Sequence, residues 1–153
     1  MLPPFVASTL LSHLSRYKIR KMIRLAVDFC ARYLGKMRNR AYPTTYLSFH
    51  KNSDIMGEYD PHIHGIWLYP ERCPTVLALL RTLIHEWIHS VQKIRTEYRK
   101  LYLQYGYDDH PQEKEATAAE YQWGRKLLRY IQTHWKQPRG LHKKSSTRKK
   151  KRS

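Results

Sequence analysis

Residues 75–91 read TVLALLRTLIHEWIHSV, a stretch that combines a helical apolar pattern with a pair of histidines. The apolar residues recur at spacings of three and four, as on the buried face of an amphipathic helix. We therefore predict a long helix that begins with this stretch and continues to about Tyr98 or Leu103. His85 and His89 are four residues apart, and side chains at that spacing lie one above the other on a helix. Their two imidazoles can therefore bind one metal cation.

The rest of the chain predicts a small α+β domain around this helix. A length of 153 residues with 41% hydrophobic residues fits one domain with its own core. A helix from about Ser12 to Lys36 precedes three strand-like segments at 45–50, 55–59 and 64–69. A last helix runs from about residue 111 to 133. The predicted order is an N-terminal helix, a small antiparallel sheet, the helix with the two histidines, and a closing helix.

The net charge of +17 is unevenly distributed along the chain. Residues 1–42 contain nine basic and one acidic residue, residues 43–124 contain eight and eleven, and residues 125–153 contain twelve and none. We therefore divide the chain into a basic N-terminal helical segment packed on the domain (1–42), a core (43–137) and a disordered basic tail (138–153). The tail is a candidate for non-specific binding to nucleic-acid phosphates, through Lys143, Lys144, Arg148, Lys149, Lys150, Lys151 and Arg152.

A zinc ion in a hydrolytic site needs a third protein ligand besides the two histidines. The last predicted helix offers Glu113, which follows His89 by 24 residues, and a carboxylate on a second helix packed against the first suits the geometry. We predict Glu113 as the third ligand, with Glu115 and His110 as alternatives. Glu86 follows the first histidine and is the expected general base that takes a proton from a water molecule.

The sequence HEWIH at 85–89, followed by EKEAT at 113–117, resembles the gluzincin pattern of zinc peptidases. In that group a Glu on the helix after the H-E-x-x-H helix completes the metal site. Small intracellular members include the ImmA/IrrE-like peptidases and the minigluzincins. The resemblance implies a minimal zincin-like fold. Its E-x-x-A element puts the ligand at Glu113, whereas the pair Glu115-Ala116 would shift it to Glu115.

A second resemblance concerns the segment HGIWLYP at 64–70, which is similar to the strand before the active helix in SprT-like peptidases. Those enzymes use a third histidine, for which His110 is the candidate in this chain. In such folds this strand is an exposed edge, and a peptide substrate adds to it as an extra strand. The resemblance therefore implies a substrate-binding edge formed by Gly65, Ile66, Trp67 and Leu68.

Three polar residues are candidates for supporting roles. Tyr105 and Tyr107 precede Glu113 and are candidates to donate a hydrogen bond to a developing oxyanion. Gln92 lies three residues after His89 and shares its helix face, so it is a candidate to hold a ligand through a hydrogen bond.

These observations predict a zinc-dependent metalloendopeptidase that cleaves a peptide or protein substrate and is localised to nucleic acid by its basic segments. The alternative is a nucleic-acid-binding protein with a structural or inactive zinc site. We expect no membrane span, because no stretch approaches the roughly 18 apolar residues that one requires. The start of the chain lacks the pattern of a secretory signal, and two cysteines are too few for a disulfide framework. An intracellular protein is therefore expected, either cytoplasmic or associated with the nucleoid or nucleus.

Overall fold

The structure, a computed structural model, describes residues 5–50, 54–92 and 95–136 and has an α+β fold, which confirms the predicted class. Its helices and strands are α1 (Arg16–Tyr33), β1 (Thr44–Leu47), β2 (Gly57–Asp60), β3 (Gly65–Leu68), α2 (Val76–Val91), α3 (Arg95–Tyr105) and α4 (Pro111–His134). Short 3-10 turns at 11–13 and 70–72 precede α1 and α2. The predicted basic tail lies outside the described residues, and so do its seven candidate phosphate-binding residues.

The three strands form one mixed sheet in the order β1-β3-β2. β1 is parallel to β3, and β2 is antiparallel to it. The prediction of a purely antiparallel sheet is therefore wrong. The chain passes from β1 to the far side of the sheet, forms β2 there, and returns between the two as β3. The predicted substrate-binding edge is also wrong. β3 is the central strand, so both of its sides are paired and it cannot accept another strand. That strand consists of Gly65, Ile66, Trp67 and Leu68.

The helix with the two histidines is shorter than predicted. Its start is capped by Thr75, whose hydroxyl accepts a hydrogen bond from the backbone N–H three residues later. It ends at Val91, because Gln92 has an extended backbone with ψ of 158°. The predicted continuation to Tyr98 or Leu103 is wrong, since those residues belong to the separate helix α3. Periodicity alone did not reveal this break.

One hydrophobic core joins α1, α2, α4 and the inner face of the sheet. α2 packs along α4, α1 packs on both, and β3 adds Ile66 and Leu68. β2 lies close to α2 at Gly57, where a Cβ atom would be 2.6 Å from the Cγ2 atom of Thr82. A glycine is needed at this position because any side chain would push the strand away from the helix, one turn before the H-E-x-x-H motif. Among the helices described, none combines the length and apolar content needed to cross a bilayer.

Candidate metal centre

Three side chains of types that bind metals meet where α2 packs against the first turn of α4. One ligand atom from each of His85, His89 and Glu113 lies within 4.8 Å of the others. The Nε2 atom of His85 is 3.0 Å from Glu113 Oε2, and the Nε2 atom of His89 is 3.3 Å from Glu113 Oε1. Two imidazole nitrogens and one carboxylate therefore face a common point, as the spacing of the histidines and the position of Glu113 had predicted.

The other ring nitrogen of each histidine is fixed by a hydrogen bond. His85 Nδ1–H donates to Glu120 Oε1 over 2.5 Å, and His89 Nδ1–H donates to Gln92 Oε1 over 2.8 Å. The Gln92 orientation follows from its amide nitrogen, which donates to the Gln112 carbonyl and to a carboxylate on α4. Each histidine therefore directs its Nε2 atom inward, the arrangement by which proteins orient metal-ligating imidazoles.

Glu120 is a residue of the candidate site that the sequence analysis missed, whereas Gln92 occupies its predicted supporting position. Glu120 lies seven residues after Glu113, which is two helical turns along the same face of α4. This spacing was visible in the sequence. Its meaning was not, because only the packing of α4 on α2 shows that the two carboxylates meet opposite sides of His85.

Charged hydrogen bonds hold the cluster together. Burial acts to lower the pKa of His85, but its hydrogen bonds to Glu113 and Glu120 outweigh this and raise that pKa to about 10. Burial also acts to lower the pKa of His89, but its hydrogen bond to Glu113 acts in the opposite direction, and the pKa of His89 is raised overall. Burial acts to raise the pKa of Glu113, yet hydrogen bonds from both histidines and from Tyr98 keep it well below its ordinary range. An anion surrounded by donors therefore lies where a cation would bind.

Glu86 lies beside this cluster and faces the same cavity. Burial raises its pKa above the ordinary value, although the charges of His89 and His85 act to lower it. The backbone N–H of Tyr59, on β2, donates a hydrogen bond to the carboxylate. A raised pKa makes the carboxylate a stronger base, which suits the role predicted for this residue.

The two alternative third ligands are engaged elsewhere. His110 is completely buried, donates from Nε2 to the Tyr98 carbonyl at 2.9 Å, and accepts the Gln112 N–H at Nδ1 over 3.1 Å. Both of its nitrogens are therefore used, and the residue caps α4 and connects it to α3. Glu115 is exposed and accepts the Gln92 amide at 2.8 Å. The structure thus brings neither alternative to the cluster.

The tyrosines near the site divide differently from expectation. Tyr107 lines the cavity, whereas Tyr105 is half exposed and absent from the cavity lining. Tyr98, which the sequence analysis did not consider, donates its hydroxyl to Glu113 Oε1 at 2.6 Å. Its ring stacks on His110 with centroids 4.0 Å apart. Tyr98 therefore holds the carboxylate through Oε1, the oxygen that His85 does not contact.

The cluster opens into a cavity of about 390 Å³, within the usual range for a site that binds a small ligand or a short peptide segment. One wall of the cavity is β2, through Gly57, Glu58 and Tyr59. Among the described residues, β2 is an edge strand whose outer side is not paired with another strand. The edge that faces the candidate site is therefore β2, and the predicted strand β3 lies behind it.

No known protein family, curated protein or solved structure matches this chain.

Proposed function

We propose that this protein is a zinc-dependent metallopeptidase of gluzincin type. One observation carries the proposal: the Nε2 atoms of two histidines and a carboxylate converge within 4.8 Å, and the carboxylate of Glu86 borders the same cavity. Three ligands on one side of an open cavity leave room for a water molecule and a substrate, as hydrolytic zinc sites require. A structural zinc site has four protein ligands and is closed, so the open three-ligand arrangement favours catalysis.

The donor set fits zinc in its chemistry as well as its number. His85, His89 and Glu113 would hold the ion through two nitrogens and one oxygen, a combination that hydrolytic zinc sites use. Hydrogen bonds on Nδ1 leave both Nε2 atoms available. A bound zinc ion lowers the pKa of water and polarises a peptide carbonyl, which are the two demands of peptide hydrolysis.

The chain supplies the acid–base chemistry through Glu86. Its carboxylate takes a proton from the attacking water and later returns that proton to the leaving amine. The Tyr59 N–H holds the carboxylate at the cavity wall. Tyr107 lines the same cavity, and its hydroxyl is the group that we assign to stabilise the developing oxyanion.

A peptide substrate would bind as an extra strand along β2. The outer side of this strand faces the cavity, and its backbone already donates to Glu86 at Tyr59. Addition of an extended segment to a free edge satisfies the backbone of both partners and aligns the substrate beside the catalytic base. This is the edge-strand mode predicted from the resemblance to zincins, with β2 in place of β3.

The decisive experiment measures zinc content and peptide cleavage on the same purified variants. Wild-type protein should hold about one zinc ion and cleave a denatured protein substrate. Glu113→Ala should abolish zinc binding, while Glu115→Ala, a matched change two residues away, should keep it. Glu86→Gln should keep zinc and abolish cleavage.

Three results would contradict the proposal in different ways. A wild-type protein without zinc affinity removes the enzyme altogether. Zinc retained in Glu113→Ala but lost in His110→Ala means that the third ligand is misassigned. Full zinc in the wild type without any cleavage favours the alternative of a structural or inactive site.

A second candidate function, binding to nucleic acid or another polyanion, is favoured by one surface feature. Arg16, Arg20 and Arg24 are exposed and lie four residues apart, so they form a line along α1. Such a line suits contacts to successive phosphates, whose strength falls steeply with salt. Replacing Arg20 and Arg24 by Gln should lower the salt slope of DNA binding by about two. Deletion of residues 141–153 tests the separate contribution of the tail.

A further inference from the structure

An arginine side chain, Arg40, lines the cavity of the candidate metal centre. Of the described residues around this cavity, Arg40 is the only Lys or Arg, whereas Glu58, Glu86 and Glu113 are acidic. Arg40 lies between α1 and β1, far in sequence from the other site residues. Its presence requires an explanation because neither the metal ligands nor the general base makes use of it.

Arg40 is held in place through a chain of hydrogen bonds. Its guanidinium donates to the hydroxyl of Tyr59 on β2. That hydroxyl in turn donates to His64 Nδ1 at 2.7 Å, and His64 Nε2–H donates to the carbonyl of Ala41 at 2.7 Å. The network returns to the residue next to Arg40, so the cation and the edge strand are fixed relative to each other.

The segment that carries Arg40 is also attached to α2. The indole N–H of Trp87, inside the H-E-x-x-H motif, donates to the Gly35 carbonyl at 2.9 Å. The backbone N–H of Arg40 donates to the Met37 carbonyl at 3.2 Å and closes a turn. A side chain fixed in this way loses little conformational entropy when it binds a ligand. The cation is therefore preorganised beside the candidate metal centre.

Within the part of the chain that the structure describes, no carboxylate forms an ion pair with Arg40. Glu58 lines the same cavity, but its Oε1 atom accepts the Tyr69 hydroxyl at 2.6 Å. A guanidinium has five N–H donors, so the bond to Tyr59 leaves others for a ligand. Carboxylates match this fork of donors best.

We propose that Arg40 is a specificity-determining residue that binds a carboxylate of the peptide substrate. The proposal rests on the proposed peptidase function and names its substrate class: peptides with an acidic side chain near the scissile bond, or with a free C-terminal carboxylate there. Both sources present the same group to the guanidinium.

The test compares peptides that differ only in the charge of one group. One series places Glu, Gln or Lys at each position in turn, and a second series compares free with amidated C-termini. With zinc-loaded wild-type protein, kcat/KM for the best Glu peptide or free-acid peptide should exceed that of its neutral partner about tenfold or more. Arg40→Ala should abolish this ratio, Arg40→Lys should retain part of it, and Arg40→Glu should shift the preference to Lys peptides.

Arg38→Ala is the matched control, because Arg38 is exposed in the same segment and absent from the cavity lining. It should leave the ratio unchanged. Equal kcat/KM for charged and neutral partners in the wild type would overturn the proposal, as would the same loss in Arg38→Ala as in Arg40→Ala. A preference seen in the positional series assigns the carboxylate to an acidic side chain, and one seen in the second series assigns it to the C-terminus.

A binding measurement separates this proposal from the peptidase function. Zinc-loaded Glu86→Gln protein is titrated calorimetrically with the same Glu and Gln peptides, so no cleavage is needed. Affinity about tenfold higher for the Glu peptide, lost in Glu86→Gln/Arg40→Ala, supports the carboxylate site even if the wild type cleaves nothing. Equal affinities overturn it even if the wild type is an active peptidase.

Discussion

The side chains around Glu113 come from two regions that are packed very differently. α2 and α4 lie side by side in the core, and their buried residues include Leu80, Leu83 and Leu127. α3 contributes nothing to that core in the described residues, and its side chains from Glu97 to Tyr105 are half-buried or exposed. Nevertheless, α3 supplies Tyr98, which donates to the carboxylate at the centre of the site.

This difference separates the helices that position the candidate metal ligands, α2 and α4, from the helix α3, which contacts one of those ligands from outside the core. The candidate ligands, which must hold a fixed geometry, are on α2 and α4, where dense packing restricts the side-chain rotamers. A residue that supports the carboxylate from outside is on a helix attached mainly by the stack of Tyr98 on His110 and by hydrogen bonds. Regions with few buried apolar contacts open at low free energy. α3 is therefore the part of the candidate site that should open at the lowest free energy.

The largest expected effect comes from a core leucine on α2. Leu83 is completely buried, and Leu83→Ala should lower the free energy of unfolding by about 2–5 kcal/mol, because it leaves a cavity. Leu103 on α3 is 78% exposed, and Leu103→Ala should change the free energy of unfolding by less than about 0.5 kcal/mol. Urea titrations of both variants measure the difference. Comparable losses would mean that α3 is an integral part of the core.

The next effect is the pH dependence of zinc binding at the candidate metal centre between α2 and α4. His85, with a pKa raised to about 10, carries a proton at pH 7 that must leave when zinc binds. Zinc affinity should therefore rise about 100-fold from pH 6 to pH 8 for this proton alone. Calorimetry in buffers with different ionisation enthalpies counts the released protons.

The metal-free protein should respond to pH in the opposite direction. A raised pKa stabilises the fold fully below the ordinary value of 6.5, and this contribution is lost as the pH rises through about 10. Thermal unfolding of metal-free protein between pH 6 and pH 10 measures the loss.

For the zinc-binding prediction, the contradicting result is an affinity that does not change between pH 6 and pH 8. This result would show that His85 is neutral before the ion binds.

A smaller effect is expected where α4 orients a ligand without touching the ion. Glu120→Ala removes the acceptor of His85 Nδ1–H and should weaken zinc binding about 10- to 100-fold. Glu97→Ala removes the same group from an exposed position on α3 and should have no effect on affinity. Competition with a chromophoric chelator measures both. An unchanged affinity in Glu120→Ala would mean that packing alone orients the ring.

The smallest effect should come from α3 itself. Tyr98→Phe removes one hydrogen bond to Glu113 and should lower the free energy of unfolding by about 1 kcal/mol. Because the ring remains, the main change should be faster amide hydrogen exchange in α3, with little change in α2 and α4. Tyr102→Phe, at an exposed position on the same helix, is the control. If Tyr98→Phe raised the amide exchange rates of all three helices by the same factor, the proposed difference between the two regions would be contradicted.

The sequence by itself determined the parts of the site that depend on local geometry. Side chains four residues apart on a helix share a face whatever surrounds them, so His85 and His89 were predictable as a pair. The start of α4 at Pro111 and the α+β class also follow from local signals. Glu113 was favoured because a carboxylate on a second helix suits a zinc site and because the E-x-x-A element of the resemblance falls there.

Only the tertiary structure decided which distant groups meet. His110 and Glu115 lie close to Glu113 in the sequence, and each was a candidate ligand. In the folded protein, however, His110 caps α4 and Glu115 accepts a hydrogen bond from Gln92. The order of the strands and the presence of Arg40 in the cavity depend on contacts between segments far apart along the chain. Such contacts are set by the packing of the whole domain, and neither helical periodicity nor motif spacing contains that information.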